Sequence, residues 1–422
     1  MVYVPLGYAA GAEGQFDLTE VHGGSPYGGS TIAAGDGSRQ VSKMELAIVK
    51  KQGEVFGATV KRSVAPVAST KRKVCVVYYS MYGHLKKLAD EIAAAVKAEG
   101  VQVDMYQAPE TLSAEALTAM GAPPKPSDPV MSHDQINKLT EYDGFLFGLP
   151  TRFGGMCAQM KAFFDSTGGH WQKGALHGKI AGTFVSTGTQ NGGQETTHLT
   201  ALTNLVHHGM VYVPLGYAAG PEGQFDLTEP HGGSPYGGST IAAGDGSRQP
   251  SAKELAIVKK HGEVFGATVK RGAAPVASTQ RKVCVVYYSM YGHLKKLADE
   301  IAAAVKAEGV QVDMYQAPET LSAEALTAMG APPKPSDPVM SHDQINKLTE
   351  YDGFLFGLPT RFGGMCAQMK AFFDSTGGHW QKGALHGKIA GTFVSTGTQN
   401  GGQETTHLTA LTNLVHHGMV YV

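Results

Sequence analysis

Cysteine is scarce in this chain: four in 422 residues. Four thiols do not make a disulfide framework, so reduced cysteines in a cytosol-like compartment, and a cytoplasmic location, are expected. Long apolar runs are missing as well, and nothing approaches the roughly 18 residues a membrane span requires. Met1-Val2-Tyr3-Val4-Pro5 has no basic stretch followed by an apolar one, so no secretory signal is expected there. Excess charge of either sign is absent: 35 Lys and Arg face 36 Asp and Glu, a net charge of −1. Such a balance argues against a nucleic-acid or anionic-membrane surface, which needs clustered positive charge. There is no P-loop lysine and no G-x-G-x-x-G, which disfavours a nucleoside triphosphate or a Rossmann dinucleotide site.

Glycine, by contrast, is abundant at 55 residues, with 42% hydrophobic residues to build a core. The chain also repeats itself. Met1 to Tyr8 recurs as Met210 to Tyr217, and Lys73-Val74-Cys75-Val76 recurs as Lys282 to Val285. The offset is 209 residues (210 less 1), so the chain is just over two turns of one cassette. Nine positions differ, among them Ala12/Pro221, Val21/Pro230, Val41/Pro250 and Met44/Lys253, all in the first third of the cassette. A period of this length is a domain, not a solenoid repeat, and predicts separate beads. The small, Pro-containing stretches 63–72 and 272–281 read as linkers. One complete bead spans 73–271. Residues 1–62 read as the last part of a bead and 282–422 as the first part of one. Neither piece can bury its apolar faces alone, so 1–62 is expected to dock on a 282–422 segment, in this chain or a neighbour. Met1–Val4 and Met419–Val422 would then compete for one strand position.

Within the complete bead, Val74 to Tyr79 is a β-branched and aromatic run, the mark of a strand buried on both faces. A helix follows from Leu85 to Glu99, stopped by Gly100. Val101–Met105, Gly144–Gly148, Lys179–Val185 and Met210–Val213 read as four more strands. Helices are expected near 134–140, 156–165, 195–207 and 251–270, the last after a Gly-rich excursion from Gly216 to Gln249. Five buried strands alternating with helices imply an α/β fold, a doubly wound five-stranded parallel sheet, tandemly repeated. Ligands of such sheets sit beyond the carboxyl ends of the strands.

Three of those ends carry small polar loops. Ser80-Met81-Tyr82-Gly83-His84 opens a helix, so its backbone N–H groups and the Ser hydroxyl can wrap an anion, with a monophosphate the best candidate; a bare strand–helix turn is the alternative. Pro150-Thr151-Arg152-Phe153-Gly154 and Ser186-Thr187-Gly188-Thr189 offer backbone donors for the edge of a flat heteroaromatic ring. Tyr82, Phe153 and Trp171 can wall its faces, or else Phe153 and Trp171 pack into the core. Adjacent His207-His208 point to different sides of a helix and have no completing carboxylate or thiol, so no metal site is expected. Cys75 and Cys157 read as structural thiols.

These three loops, with Tyr78-Tyr79, His207-His208-Gly209-Met210 and Gly244-Asp245-Gly246-Ser247-Arg248-Gln249, resemble the WrbA family. Its members are flavodoxin-like NAD(P)H:quinone oxidoreductases that bind FMN. The resemblance covers essentially the whole bead in the right order, although Gln190-Asn191 is bulkier than the all-Gly segment of bacterial members. It implies that Ser80, Met81, Tyr82, Gly83, His84 and Leu85 hold the FMN phosphate. Pro150, Thr151, Arg152, Phe153 and Gly154, with Ser186, Thr187, Gly188, Thr189, Gln190 and Asn191, would hold the isoalloxazine, and His207 would contact the cofactor. Tyr82 and Trp171 would line the place where nicotinamide and quinone alternate. In the second copy the same roles fall to Ser289, Met290, Tyr291, Gly292, His293 and Leu294; to Pro359, Thr360, Arg361, Phe362 and Gly363; to Ser395, Thr396, Gly397, Thr398, Gln399 and Asn400; and to His416, Tyr291 and Trp380.

What the resemblance implies is FMN-dependent reduction of quinones by NAD(P)H in two-electron steps, ping-pong over one ring face, with no catalytic side chain because the flavin carries the chemistry. It also implies neighbouring beads as partners, in an oligomer or tandem array with tetramer-like assembly. Two rivals are a flavodoxin-type electron carrier and a non-catalytic scaffold array, the latter favoured by the tandem duplication.

Overall fold

A computed structural model of the chain describes residues 6–7, 9–10, 15, 19–62, 72–221, 223–271 and 281–422. The predicted linkers, apart from Arg72 and Arg281, lie outside the described residues, as does Met1–Val4 with its expected strand competition. Two compact units emerge: a central one from Pro66 to Ala274, and a composite one that joins Met1–Ala65 to Pro275–Val422.

The central unit begins with β1 (Lys73–Tyr78), α1 (His84–Ala98) and β2 (Gln102–Gln107). Short helices α2 (Ala114–Ala119) and α3 (His133–Asn137) follow, then β3 (Gly144–Arg152) and β4 (Gly155–Met156). Next come α4 (Ala158–Ser166), α5 (Gly168–Gln172), β5 (Ile180–Thr187) and α6 (Thr196–His207). The unit closes with β6 (Val211–Tyr212), β7 (Ser239–Ile241) and α7 (Ala252–Arg271). Parallel pairing sets the order β2-β1-β3-β5-β6. In chain order of the long strands this is 2-1-3-4-5, the flavodoxin-like arrangement. β1 sits between two neighbours and under helices, and Val74 through Tyr78 are completely buried.

Two strands differ from expectation. β3 runs past Gly148 through Pro150 to Arg152, then folds back as β4, with Thr151 opposite Met156 and Arg152 opposite Gly155. Pro150 is tolerated because its carbonyl, not its missing N–H, makes the bond, accepting from Cys157 N–H at 3.1 Å. The fifth strand is in two pieces. β6 pairs with the start of β5 (Ile180 opposite Val211), whereas β7, from within the Gly-rich excursion, pairs with its end (Val185 opposite Ser239, Thr187 opposite Ile241). The excursion is therefore an insertion that leaves the sheet edge and returns to it. Phe265 of α7 covers Gly144 and Gly182 of the sheet and is fully buried, a contribution of roughly 2–3 kcal/mol for one aromatic side chain.

In the composite unit the order is Gln311–Gln316, Lys282–Tyr287, Gly353–Arg361, Ile389–Thr396, Val420–Tyr421. Ser30–Ile32 takes the place of β7, with Ser30 opposite Val394 and Ile32 opposite Thr396. Helix Lys43–Arg62 takes the place of α7. The described part of residues 1–62 thus docks on residues 282–422 of the same chain.

Candidate functional site

The anion loop is built by what its helix lacks. α1 starts on Gly83 in the left-handed region (φ 87°) with no side-chain cap and no acidic residue in its first turn. Its shorter neighbours α2 and α3 are capped by Ser113 and Ser132. A 15-residue helix thus presents its positive end with the N-terminal N–H groups left to something other than a cap. A β-carbon at Gly83 would meet no atom, so the glycine is required by φ rather than by space. Ser80 is buried beside it, its hydroxyl accepting a long bond of 3.4 Å from Lys86 N–H. Tyr82 is part-exposed and donates its OH to the Met120 carbonyl at 3.1 Å.

The loop after β3 is a two-residue hairpin, Phe153-Gly154, with both φ angles positive (52° and 79°). That is the geometry of a type I′ turn, which favours Asn or Gly at its first position. A phenylalanine held there is strained, and its ring is fully exposed. The loop after β5 folds on itself: Thr187 donates Oγ1–H to the Thr189 carbonyl at 2.8 Å, and Asn191 adopts φ 57°. Because β1, β3 and β5 are adjacent parallel strands, the three loops stand side by side at one end of the sheet.

A fourth segment joins them that sequence reasoning left out of the site. After β7, Ala242 N–H donates to the Thr187 carbonyl at 2.7 Å, and Ala243 takes φ 66°. The chain reverses through Gly244-Asp245-Gly246 and lies against both neighbouring loops. Gly188 abuts Ala243 and Gly244, Gly246 abuts Tyr82 and His84, and His84 Nε2 donates to the Arg248 carbonyl at 3.0 Å. The composite unit repeats this with Ala34 (φ 65°), Gly35 and Gly37, and with His293 Nε2 donating to the Arg39 carbonyl at 2.9 Å. The Gly-x-Gly after a short β-prone Ser-Thr-Ile was the signal available in the sequence.

Trp171 and His207 are brought together with each other, but not with the anion loop. They line a cavity of about 610 Å³ along α6, with Met156, Phe164, Thr200 and Asn204. α6 starts beside the Ser186–Asn191 loop and His207 is the last of its twelve residues, a helix length of roughly 18 Å. The composite unit has the matching cavity of about 350 Å³ with Trp380 and His416. His208 is a core histidine: it hydrogen-bonds Thr167 Oγ1 at 2.8 Å, and burial pushes its pKa down to about 4.

Burial also raises the pKa of Cys75 and Cys157, and all four cysteines are buried free thiols. Among the described residues no group of three or more His, Cys, Asp or Glu is placed to hold a metal ion. No described helix is long and apolar enough to cross a membrane.

A family model described as NADPH-dependent FMN reductase matches residues 73–224 and again 282–422. Quinone-oxidoreductase QR2 of Triphysaria versicolor is 58% identical over 184 residues, covering 43% of this chain and 88% of that protein. NAD(P)H quinone oxidoreductase PST3 of Candida albicans is 52% identical over 199 residues, covering 47% of this chain and 98% of that protein. Among solved structures, a flavodoxin, WrbA-like protein from Agrobacterium tumefaciens aligns at 20% identity and TM-score 0.34, over 47% of this chain and 98% of that one.

Proposed function

The chain belongs to the NADPH-dependent FMN reductase family, and from that premise we propose that each unit is an FMN site at which NAD(P)H reduces quinones. One observation carries the reading: the uncapped positive end of α1, beside the buried Ser80, opens where three strand-end loops converge. The residues fit the cofactor. Ser80 to Leu85 offers hydroxyl and backbone donors to a phosphate dianion, and no acidic residue in the first turn of α1 opposes it. Pro150–Gly154 and Ser186–Asn191 supply backbone groups for the polar edge of the ring, while the exposed Phe153 and part-exposed Tyr82 supply apolar surface.

When bound, FMN supplies two-electron redox chemistry, accepting a hydride from NAD(P)H and passing it to a quinone. The protein's share is positioning: strained, fixed loops hold donors in place before the ligand arrives, so little reorganisation is needed during reaction. Trp171 and His207 share a cavity at the end of α6 away from the Ser186–Asn191 loop. We therefore assign them to a ring face completed by assembly with neighbouring beads, tetramer-like as in the resembling family. Buried free thiols suit a cytoplasmic setting.

Purified protein should show flavin absorbance, bleach with NADPH under anaerobic conditions and recover its colour on adding a quinone. Parallel lines in initial-rate plots would support one pocket used alternately, whereas intersecting lines would sink it. Colourless protein that FMN cannot reconstitute would return the scaffold reading.

A further inference from the structure

A buried carboxylate outside the three expected loops sits at the base of the fourth. Glu254, at the start of α7, is completely buried. Its oxygens accept from Gly232 N–H at 2.9 Å, Ile241 N–H at 3.0 Å, Thr240 Oγ1–H at 2.8 Å and Ser251 N–H at 2.8 Å. Arg248 Nη1 adds a charged donor at 2.9 Å and also donates to the Ile241 carbonyl at 2.6 Å. Arg248 Nη2 reaches the Pro230 carbonyl at 3.0 Å. One carboxylate thus ties the middle of the excursion at Gly232, β7 and the start of α7 into a single knot. The composite unit repeats it with Glu45, Arg39, Gly23, Ile32 and Ser42.

The knot sits at the base of the turn 242–248. On one side that turn is paired to Thr187, on the other to His84 at the N-terminus of α1. Ala243, at φ 66°, is in a conformation an alanine keeps only when its surroundings impose it. We propose that Arg248 and Glu254, with Arg39 and Glu45 in the composite unit, are positioning residues of the flavin site: they hold this turn as the bridge between the phosphate and isoalloxazine loops. The inference rests on the FMN reading given above. A fork-shaped guanidinium suits the role, since it donates to a carboxylate and to the carbonyls of Pro230 and Ile241 together, which a lysine ammonium cannot do in one geometry.

The full chain supplies its own control, because each unit carries one knot. FMN is titrated by fluorescence into wild type, Arg248→Lys, Arg39→Lys and the double variant. Wild type should show two equivalent sites. Each single variant should keep one normal site and weaken the other on the order of tenfold. At saturating FMN the altered site should also show a changed flavin spectrum and weaker fluorescence quenching, which a merely stabilising residue would not move. Unchanged affinity and spectrum would overturn the inference, as would a lower melting temperature with both of them intact. Wild type that binds no FMN would instead overturn the functional reading itself. Should Arg248→Lys fail to fold, Thr240→Val removes one donor to Glu254, keeps the ion pair, and should show the same changes more weakly.

Discussion

Gln52 Nε2 donates to the carbonyl oxygen of Thr392 at 2.9 Å, across 340 residues of sequence. Its Oε1 accepts from Gly29 N–H at 3.0 Å, so one amide satisfies the Gly-rich segment and the sheet edge together. The equivalent residue of the central unit is His261, whose Nδ1 accepts from Gly238 N–H at 3.2 Å. The two units share nearly every residue, yet this buried position carries an amide in one and an imidazole in the other.

That difference should make the central unit the more acid-sensitive one. Burial lowers the pKa of His261 from its ordinary 6.5 to about 4, offset in part by the Val213 carbonyl. The fold therefore holds the ring neutral; its contribution is complete above about pH 6.5 and is lost as pH falls towards 4. His198, beside it on α6, is lowered to about 3 by burial and by His261, but its counterpart His407 is lowered to about 3 as well and so does not distinguish the units. Each tenfold loss of proton affinity on folding corresponds to about 1.4 kcal/mol, so the central unit should lose about 3 kcal/mol more than the composite one. Pulse proteolysis between pH 7 and 4 would resolve the two by their fragments, and His261→Gln should remove the gap.

Gly262→Ala should destabilise the central unit even though alanine is the better helix former. A β-carbon at Gly262 would stand 2.7 Å from the Ile92 carbonyl oxygen and 2.7 Å from the Ala95 β-carbon. The propensity gain is about 1 kcal/mol, while forcing two packed helices apart costs about 1–3 kcal/mol, so overpacking is expected to win. Gly53→Ala meets Ile301 and Ala304 at the same distances in the composite unit. A rise in melting temperature for either variant would show that α1 and its counterpart move aside easily.

The parts of this fold readable in the sequence were those with strong local patterns. The apolar run Val74–Tyr79 and the periodic helices found their places, and the 209-residue repeat revealed the cassette. The Phe153-Gly154 hairpin was hidden because its turn uses a phenylalanine where Asn or Gly would announce one. β7 was hidden because three residues in a Gly-rich stretch carry no period, and only pairing with Val185–Thr187 makes them a strand. At the turn after β7 the Gly244-Asp245-Gly246 signal was present, but alanine gives no hint of the positive φ at Ala243 and the knot around Glu254 is assembled from segments apart in sequence. The separation of Trp171 and His207 from Ser80 was invisible for another reason: a resemblance says which residues matter, not which end of a helix each occupies.

Replacing Trp171 and Trp380 by Ala should impair nicotinamide and quinone turnover more than FMN retention. Both residues stand with the terminal histidine of their helix, away from the anion loop. Stacking on an indole face is worth roughly 1–3 kcal/mol by analogy with nucleobase stacking, which predicts about a five- to 150-fold loss in kcat/KM. Loss of flavin with an unchanged rate per remaining flavin would count against it.

Two FMN equivalents per chain should bind, although one unit is assembled from two segments far apart in sequence. The composite unit holds Ser289 buried as Ser80 is, and its helix likewise starts uncapped, on Gly292 at φ 88°. Phe362 at φ 52° repeats the strained hairpin of Phe153. The turn bridging the loops is supplied here by residues 33–40: Ala33 N–H donates to the Thr396 carbonyl at 2.7 Å, and Lys296 Nζ reaches Gln40 Oε1 at 2.7 Å. The second site depends on how completely these two segments pack, and loss of packing there would translate into loss of phosphate affinity. Equilibrium dialysis should give two equivalents, with Ser80→Ala and Ser289→Ala each weakening one of them. A single equivalent sensitive to Ser80→Ala but not to Ser289→Ala would mean that the uninterrupted unit alone binds the cofactor.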